Sequence, residues 1–112
     1  MKKILLTTIL CLFALFAEAQ ENKFAANRSE NAVALITSQM DISNADAEFI
    51  QQTLYNKYAS NARKIRGKGL SEDEKKAVYR TAAKETRQKL MTKFNREEVQ
   101  KIIDLERKSF KK

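Results

Sequence analysis

Histidine is absent from this 112-residue chain, and its absence removes most of the chemistry a small protein can do. No Ser-His-Asp triad, no Cys-His pair and no imidazole metal site can be assembled from the residues present. Two glycines, Gly67 and Gly69, are too few for a Gly-rich phosphate loop or a dinucleotide fingerprint. Asp, Glu, Lys and Tyr remain, but in no clustered spacing that would make a site. Catalysis is therefore not expected, and neither is a metal or any other cofactor. The spacing that could act is a row of charges. Lys76, Arg80, Lys84 and Arg87 recur at i, i+4, i+8 and i+11, on one face of a helix. Like charges at this spacing cost the isolated helix roughly a few tenths of a kcal/mol per pair. Such a row serves either as a solvated face or as a basic surface for an acidic partner, with Tyr79 and Tyr58 as apolar neighbours.

The charge is unevenly spread. Residues 20–56 carry two basic groups (Lys23, Arg28) against five acids, whereas residues 57–112 carry eighteen against eight. An isoelectric point near 9.7 would ordinarily point to nucleic acid. Export, argued next, speaks against that partner, and no recognised nucleic-acid module is visible. An unfolded protein segment, apolar with scattered acids, fits the mixed surface at least as well.

The first nineteen residues read as an address. Lys2 and Lys3 precede an apolar run of thirteen, Ile4 to Phe16, and Ala17-Glu18-Ala19 places small residues where signal peptidase cuts. Thirteen residues span only about 20 Å as a helix, short of the ~30 Å hydrocarbon core. The expected product is a cleaved, exported chain starting at Gln20, periplasmic or secreted, with no stable membrane insertion after cleavage. Bulky Leu10 before Cys11, and the apolar run continuing beyond it, exclude a lipoprotein reading. The chain from residue 20 onward has no cysteine, so its fold rests on apolar burial alone.

The elements that must position the row are helices. No proline and 32% charged residues suit long helices better than a turn-rich β fold. An apolar residue, a small polar residue, two spacers and an acid recur three times: Ile42-Ser43-Asn44-Ala45-Asp46, Leu70-Ser71-Glu72-Asp73-Glu74 and Phe94-Asn95-Arg96-Glu97-Glu98. Each is a helix-initiation signal, with Ser43, Ser71 and Asn95 as N-caps and Asp46, Glu74 and Glu98 at N3. Only the middle box has the strict Ser…Glu form. Apolar stripes then predict helices over 44–66 (Ala47, Ile50, Leu54, Tyr58, Ala62, Ile65), over 72–93 (Val78, Tyr79, Ala82, Ala83, Thr86, Leu90), and after Asn95 (Val99, Ile102, Ile103, Phe110). A brief helix capped by Asn27 or Ser29 is expected upstream, carrying Val33, Ile36 and Met40. Phe49 lies off the main stripe, against that upstream helix or exposed.

Gly67-Lys68-Gly69 ends the first long helix, and a short link makes the two central helices an antiparallel hairpin. The expected fold is thus all-α: a long hairpin with short N- and C-terminal helices. The expected organisation is a signal peptide over 1–19, a flexible lead over 20–28 and a single helical domain over 29–112. Few bulky core residues for so small a chain make a dimer sharing one core the expectation.

This arrangement resembles the LTxxQ-motif periplasmic proteins of the Spy/CpxP type. Their Leu-Thr-x-x-Gln box stands before the long central helix and recurs about fifty residues later. The corresponding pentapeptides here begin at Ile42 and Phe94, 52 residues apart, and keep the capping role with Ser or Asn for Thr and Asp or Glu for Gln. The likeness covers roughly residues 30–110. It implies an antiparallel helical homodimer, shaped as a cradle, that holds unfolded or partly folded envelope proteins without ATP. Within this chain the client-binding residues would be Lys76, Arg80, Lys84, Arg87, Tyr79 and Tyr58. The alternative is a regulatory or structural protein of the envelope stress response that binds a sensor domain or an anionic envelope surface.

Overall fold

Four amphipathic helices make up the described residues, 23–110, of the computed structural model, with no strand among them. The expected signal peptide over residues 1–19 lies outside the described residues. Helix α1 covers residues 23–39, α2 is Asn44–Ile65, α3 is Glu72–Leu90 and α4 is Arg96–Ser109.

The start of α1 departs from the sequence reading. The chain is helical from residue 23, so the helix begins upstream of the expected boundary and neither Asn27 nor Ser29 is its cap. The reason is an apolar stripe that begins earlier than its bulky members. Ala25, Ser29, Ala32, Val33 and Ile36 all face inward, and Ser29, fully buried, returns its hydroxyl to the carbonyl of Ala26 at 2.9 Å. A serine satisfied by its own helix can sit in a core position, where a sequence pattern reads it as a boundary.

The three caps close as hydrogen-bond geometry. Ser43 accepts from the Asp46 N–H at 3.2 Å, and Ser71 from the Glu74 N–H at 3.2 Å. Asn95 accepts from the Glu98 N–H at 2.8 Å. Glu74 and Glu98 also reach back to the cap N–H, so Asn95 forms as complete a box as Ser71 does. At Ser43 no return bond from Asp46 is formed among the described residues, as expected of a side chain one methylene shorter than Glu.

Helix α2 ends where Gly67 (φ 70°) and Gly69 (φ 62°) enter the left-handed region, and α3 then packs back against α2. A Cβ on either glycine would meet nothing within 4 Å, so backbone conformation rather than space selects glycine there. Helix α3 stops at Leu90, three residues earlier than its stripe predicts. The N–H groups of Thr92 and Lys93 bond to Lys89 and Leu90 in a tight turn, which carries Phe94 into the core at 7% exposure.

The core sits at the α1/α4 end of the hairpin. It joins Ala32, Val33 and Ile36 of α1 to Ile50 and Leu54 of α2, Leu90 of α3, Phe94, and Val99, Ile102 and Leu105 of α4. Phe49 packs on this cluster and against the ring of Phe94 (centroids 6.4 Å apart) with the Lys93 ammonium over its face at 4.6 Å. Its ring partner is therefore the α3–α4 turn, an option the sequence pattern did not offer. The first half of α3 buries no residue before Ala82.

Candidate functional site

Helix geometry separates the cationic row. Lys76, Arg80 and Lys84 are exposed on α3, whereas Arg87 is half-buried and donates to the Gln100 side-chain carbonyl of α4 at 3.1 Å. Gln100 in turn donates to Asp104 at 3.0 Å, so Arg87 links α3 to α4 through a polar bridge. Tyr79, placed on the inner stripe by its spacing, is 53% exposed. Ala83 is exposed as well, and the buried line of α3 is Ala82, Thr86 and Leu90.

Tyr79 and Tyr58 are nevertheless brought together. Both line an open groove of about 400 Å³, with Phe24 and Arg28 from α1, Asn61, Ala62 and Ile65 from α2, and Phe110 at the end of α4. The large hydrophobic side chains most exposed among the described residues are Phe24, Tyr79, Met91 and Phe110, and three of these four meet in this groove. Exposed aromatic groups gathered on one concave surface are a feature that binding sites share.

The floor of the groove is fixed by a buried ion pair. Glu106, only 2% exposed on the inner side of α4, receives Lys57 at 3.1 and 3.3 Å and the hydroxyl of Tyr58. With its charge balanced by Lys57 and its lone pairs occupied, the carboxylate can remain inside the fold. The bond also holds the Tyr58 ring in place. Burial foremost, then the charge of Glu106 and the hydrogen bond to it, push the Tyr58 hydroxyl far above its ordinary ionisation range, while Arg28 opposes them.

Above that floor the aromatic rings surround a guanidinium. Arg28 stacks 3.9 Å from the centroid of Phe110, 5.4 Å from that of Tyr58 and 5.8 Å from that of Phe24. Phe110 meets Tyr58 edge-on, with centroids 5.8 Å apart and planes at 70°. Cation–π contacts of this kind use the faces of the guanidinium and leave its in-plane N–H donors available. A second groove, of about 390 Å³, runs between α2 and α3; Thr53, Ser60, Arg63, Lys64, Glu85 and Lys89 line it with charges of both signs and no aromatic anchor.

Of the six proposed client-binding residues, then, Tyr58 and Tyr79 share the groove, Lys76, Arg80 and Lys84 stand on the adjoining helix surface, and Arg87 is engaged with α4. Sequence reasoning missed Phe24, Arg28, Phe110 and the Lys57–Glu106 pair. One signal was present for Glu106. It follows Val99 and Ile102 at the stripe spacing, and a charge at such a position implies a buried partner.

Among the described residues, no group of three or more Cys, Asp or Glu is placed to hold a metal ion, and no helix is long and apolar enough to cross a membrane. No protein-family model, curated protein or solved structure matches this chain.

Proposed function

We propose that this protein is an exported, ATP-independent, chaperone-like binding protein of the cell envelope. It holds unfolded or partly folded polypeptides on the first half of α3 and acts without catalysis, cofactor or nucleic acid. The observation that carries the reading is Tyr79, 53% exposed between Lys76 and Arg80 on a stretch of helix that buries nothing of its own. Cations draw in acidic segments over several ångströms, and an exposed ring then gives a shallow apolar contact. Weak contacts of this sort let a client leave and fold. The resemblance to the LTxxQ proteins belongs to the same proposal and rests on the capping boxes and the order of the helices. So does the homodimer, in which a second copy would enlarge a core that is thin in one chain.

Light scattering of a chemically denatured protein, diluted into buffer with this protein and no nucleotide, tests the reading. Suppression of aggregation is expected at ratios near one to one. Reversing the charges of Lys76, Arg80 and Lys84 to Glu should weaken it about tenfold or more, the size expected when attraction becomes repulsion at three positions. Unchanged suppression by a variant of unaltered helicity would remove the basic face from the mechanism, and no suppression by the parent would remove the function.

A further inference from the structure

Helix α2 carries charges of opposite sign at its two ends. Asp46 and Glu48 stand in its first two turns, and Arg63 and Lys64 in its last. Glu48 and Arg63 are fifteen positions apart, just over four turns, so they share one face at a distance of about 22 Å. They cannot reach each other within the helix, and neither makes an ion pair among the described residues. Lys57, between them, is turned to Glu106 on another side of the helix.

Most of the face between Glu48 and Arg63 is open to solvent. Glu48, Gln52, Asn56 and Arg63 are exposed and Tyr55 is half-buried. Glu48, Gln52 and Tyr55 border a groove toward Ala26 of α1, and Asn56 and Arg63 border the groove toward α3, so these helices flank the face. Ala59 lies on the same line and is small enough to let another helix approach.

These positions are symmetric about a point between Tyr55 and Asn56. Gln52 and Ala59 lie equally far from it, and so, further out, do Glu48 and Arg63. A second α2 laid antiparallel on this face, with a two-fold axis at that point, would set each Glu48 against the partner's Arg63. The symmetry makes the two pairs equivalent, so both form together. The two Tyr55 rings would lie beside the axis, at the centre of the contact, where aromatic anchors matter most. A parallel partner in register would instead oppose like charges. The face is thus complementary to itself, and that selects a second copy of this chain as its occupant.

We infer that the outward face of α2 is the homodimer interface, with two copies packed antiparallel and reciprocal Glu48–Arg63 pairs about a two-fold between Tyr55 and Asn56. The helix axes must cross at a shallow angle, about 20°, because a steep crossing would carry the outer pairs apart. The inference deepens the homodimer of the proposed function and rests on it. It uses no residue of the α3 row or of the aromatic groove, so client binding stands or falls separately.

Sedimentation equilibrium over a range of protein concentrations tests it, with two charge reversals at exposed positions. The parent should associate as a reversible dimer. Glu48→Arg alone opposes Arg to Arg twice across the axis, and Arg63→Glu alone opposes Glu to Glu twice. Each should weaken the dimer about tenfold or more. An equimolar mixture of the two variants restores both opposite-charge pairs and should form a heterodimer nearly as tight as the parent. Recovery in the mixture also shows that both variants fold. A mixture that stays monomeric, or single variants that dimerise as tightly as the parent, would overturn the interface even where the parent is a dimer. A parent that is monomeric throughout would overturn the interface and the homodimer together, whereas aggregation suppression decides the client-binding reading on its own.

Discussion

Replacing Lys57 by Met should lower the free energy of unfolding by about 3 kcal/mol, because it strands a carboxylate inside the fold. The Glu106 side chain is 3% exposed and that of Lys57 19%, so the pair is buried chiefly on the acid's side. Lys57 can reach water and is not itself costly to keep, whereas Glu106 depends on it. This places the expected loss at the lower end of what breaking a buried pair costs. A double variant, Lys57→Met with Glu106→Leu, should recover most of that loss, since neither charge is then left alone. Recovery stops about 1 kcal/mol short because the Tyr58 hydroxyl loses its acceptor. Urea unfolding followed by far-ultraviolet circular dichroism measures all three proteins. A Lys57→Met variant within about 0.5 kcal/mol of the parent would mean that the pair does not hold the groove floor.

The second large effect is alkaline. Tyrosine ordinarily ionises near 10.0, and in the folded protein the Tyr58 hydroxyl is held neutral far beyond that. Below this value both folded and unfolded chains carry the proton, and Tyr58 adds nothing to the pH dependence. Above it the unfolded chain releases the proton while the folded chain keeps it, so stability falls as pH rises. The full slope for one group is about 1.4 kcal/mol per pH unit. Partial exposure of the ring to solvent limits how far above the ordinary tyrosine range that slope persists, not its size. Tyr58→Phe keeps the ring against Phe110 and Arg28 and removes the proton. Lysines titrate in the same range in both proteins, so the readout is the difference between parent and variant. That difference should shrink steadily above pH 10. A constant difference from neutral to strongly alkaline pH would show that the Tyr58 hydroxyl is not held by Glu106.

How far the sequence foretells this molecule varies by element. Helix starts were legible because capping is local: Ser43, Ser71 and Asn95 act within four residues of themselves, and a short window contains all the physics. The start of α1 was not, because Ser29 fits a cap and a buried back-bonded position equally well, and only packing against the rest of the chain decides. The end of α3 was missed for a related reason. Its helical pattern runs on, but Phe94 must turn inward to reach Ile102 and Val99, and the core wins over the pattern.

The groove was the least legible part. Arg28 and Phe110 stand eighty-two positions apart, and Lys57 and Glu106 forty-nine, so no spacing announces them. The cationic row, being local, was visible from its period alone. What the period could not convey is that Arg87 would be drawn to Gln100, or that Tyr79 would turn its ring to the groove mouth instead of the core.

The central claim is that the first half of α3 meets the client. Amide chemical-shift mapping on addition of a permanently unfolded, soluble polypeptide tests it most directly. The perturbed amides should centre on residues 76–84, and the effect should fade as salt is raised, because the encounter is electrostatic. Perturbations centred on α4 at saturating client, or none at all, would contradict it.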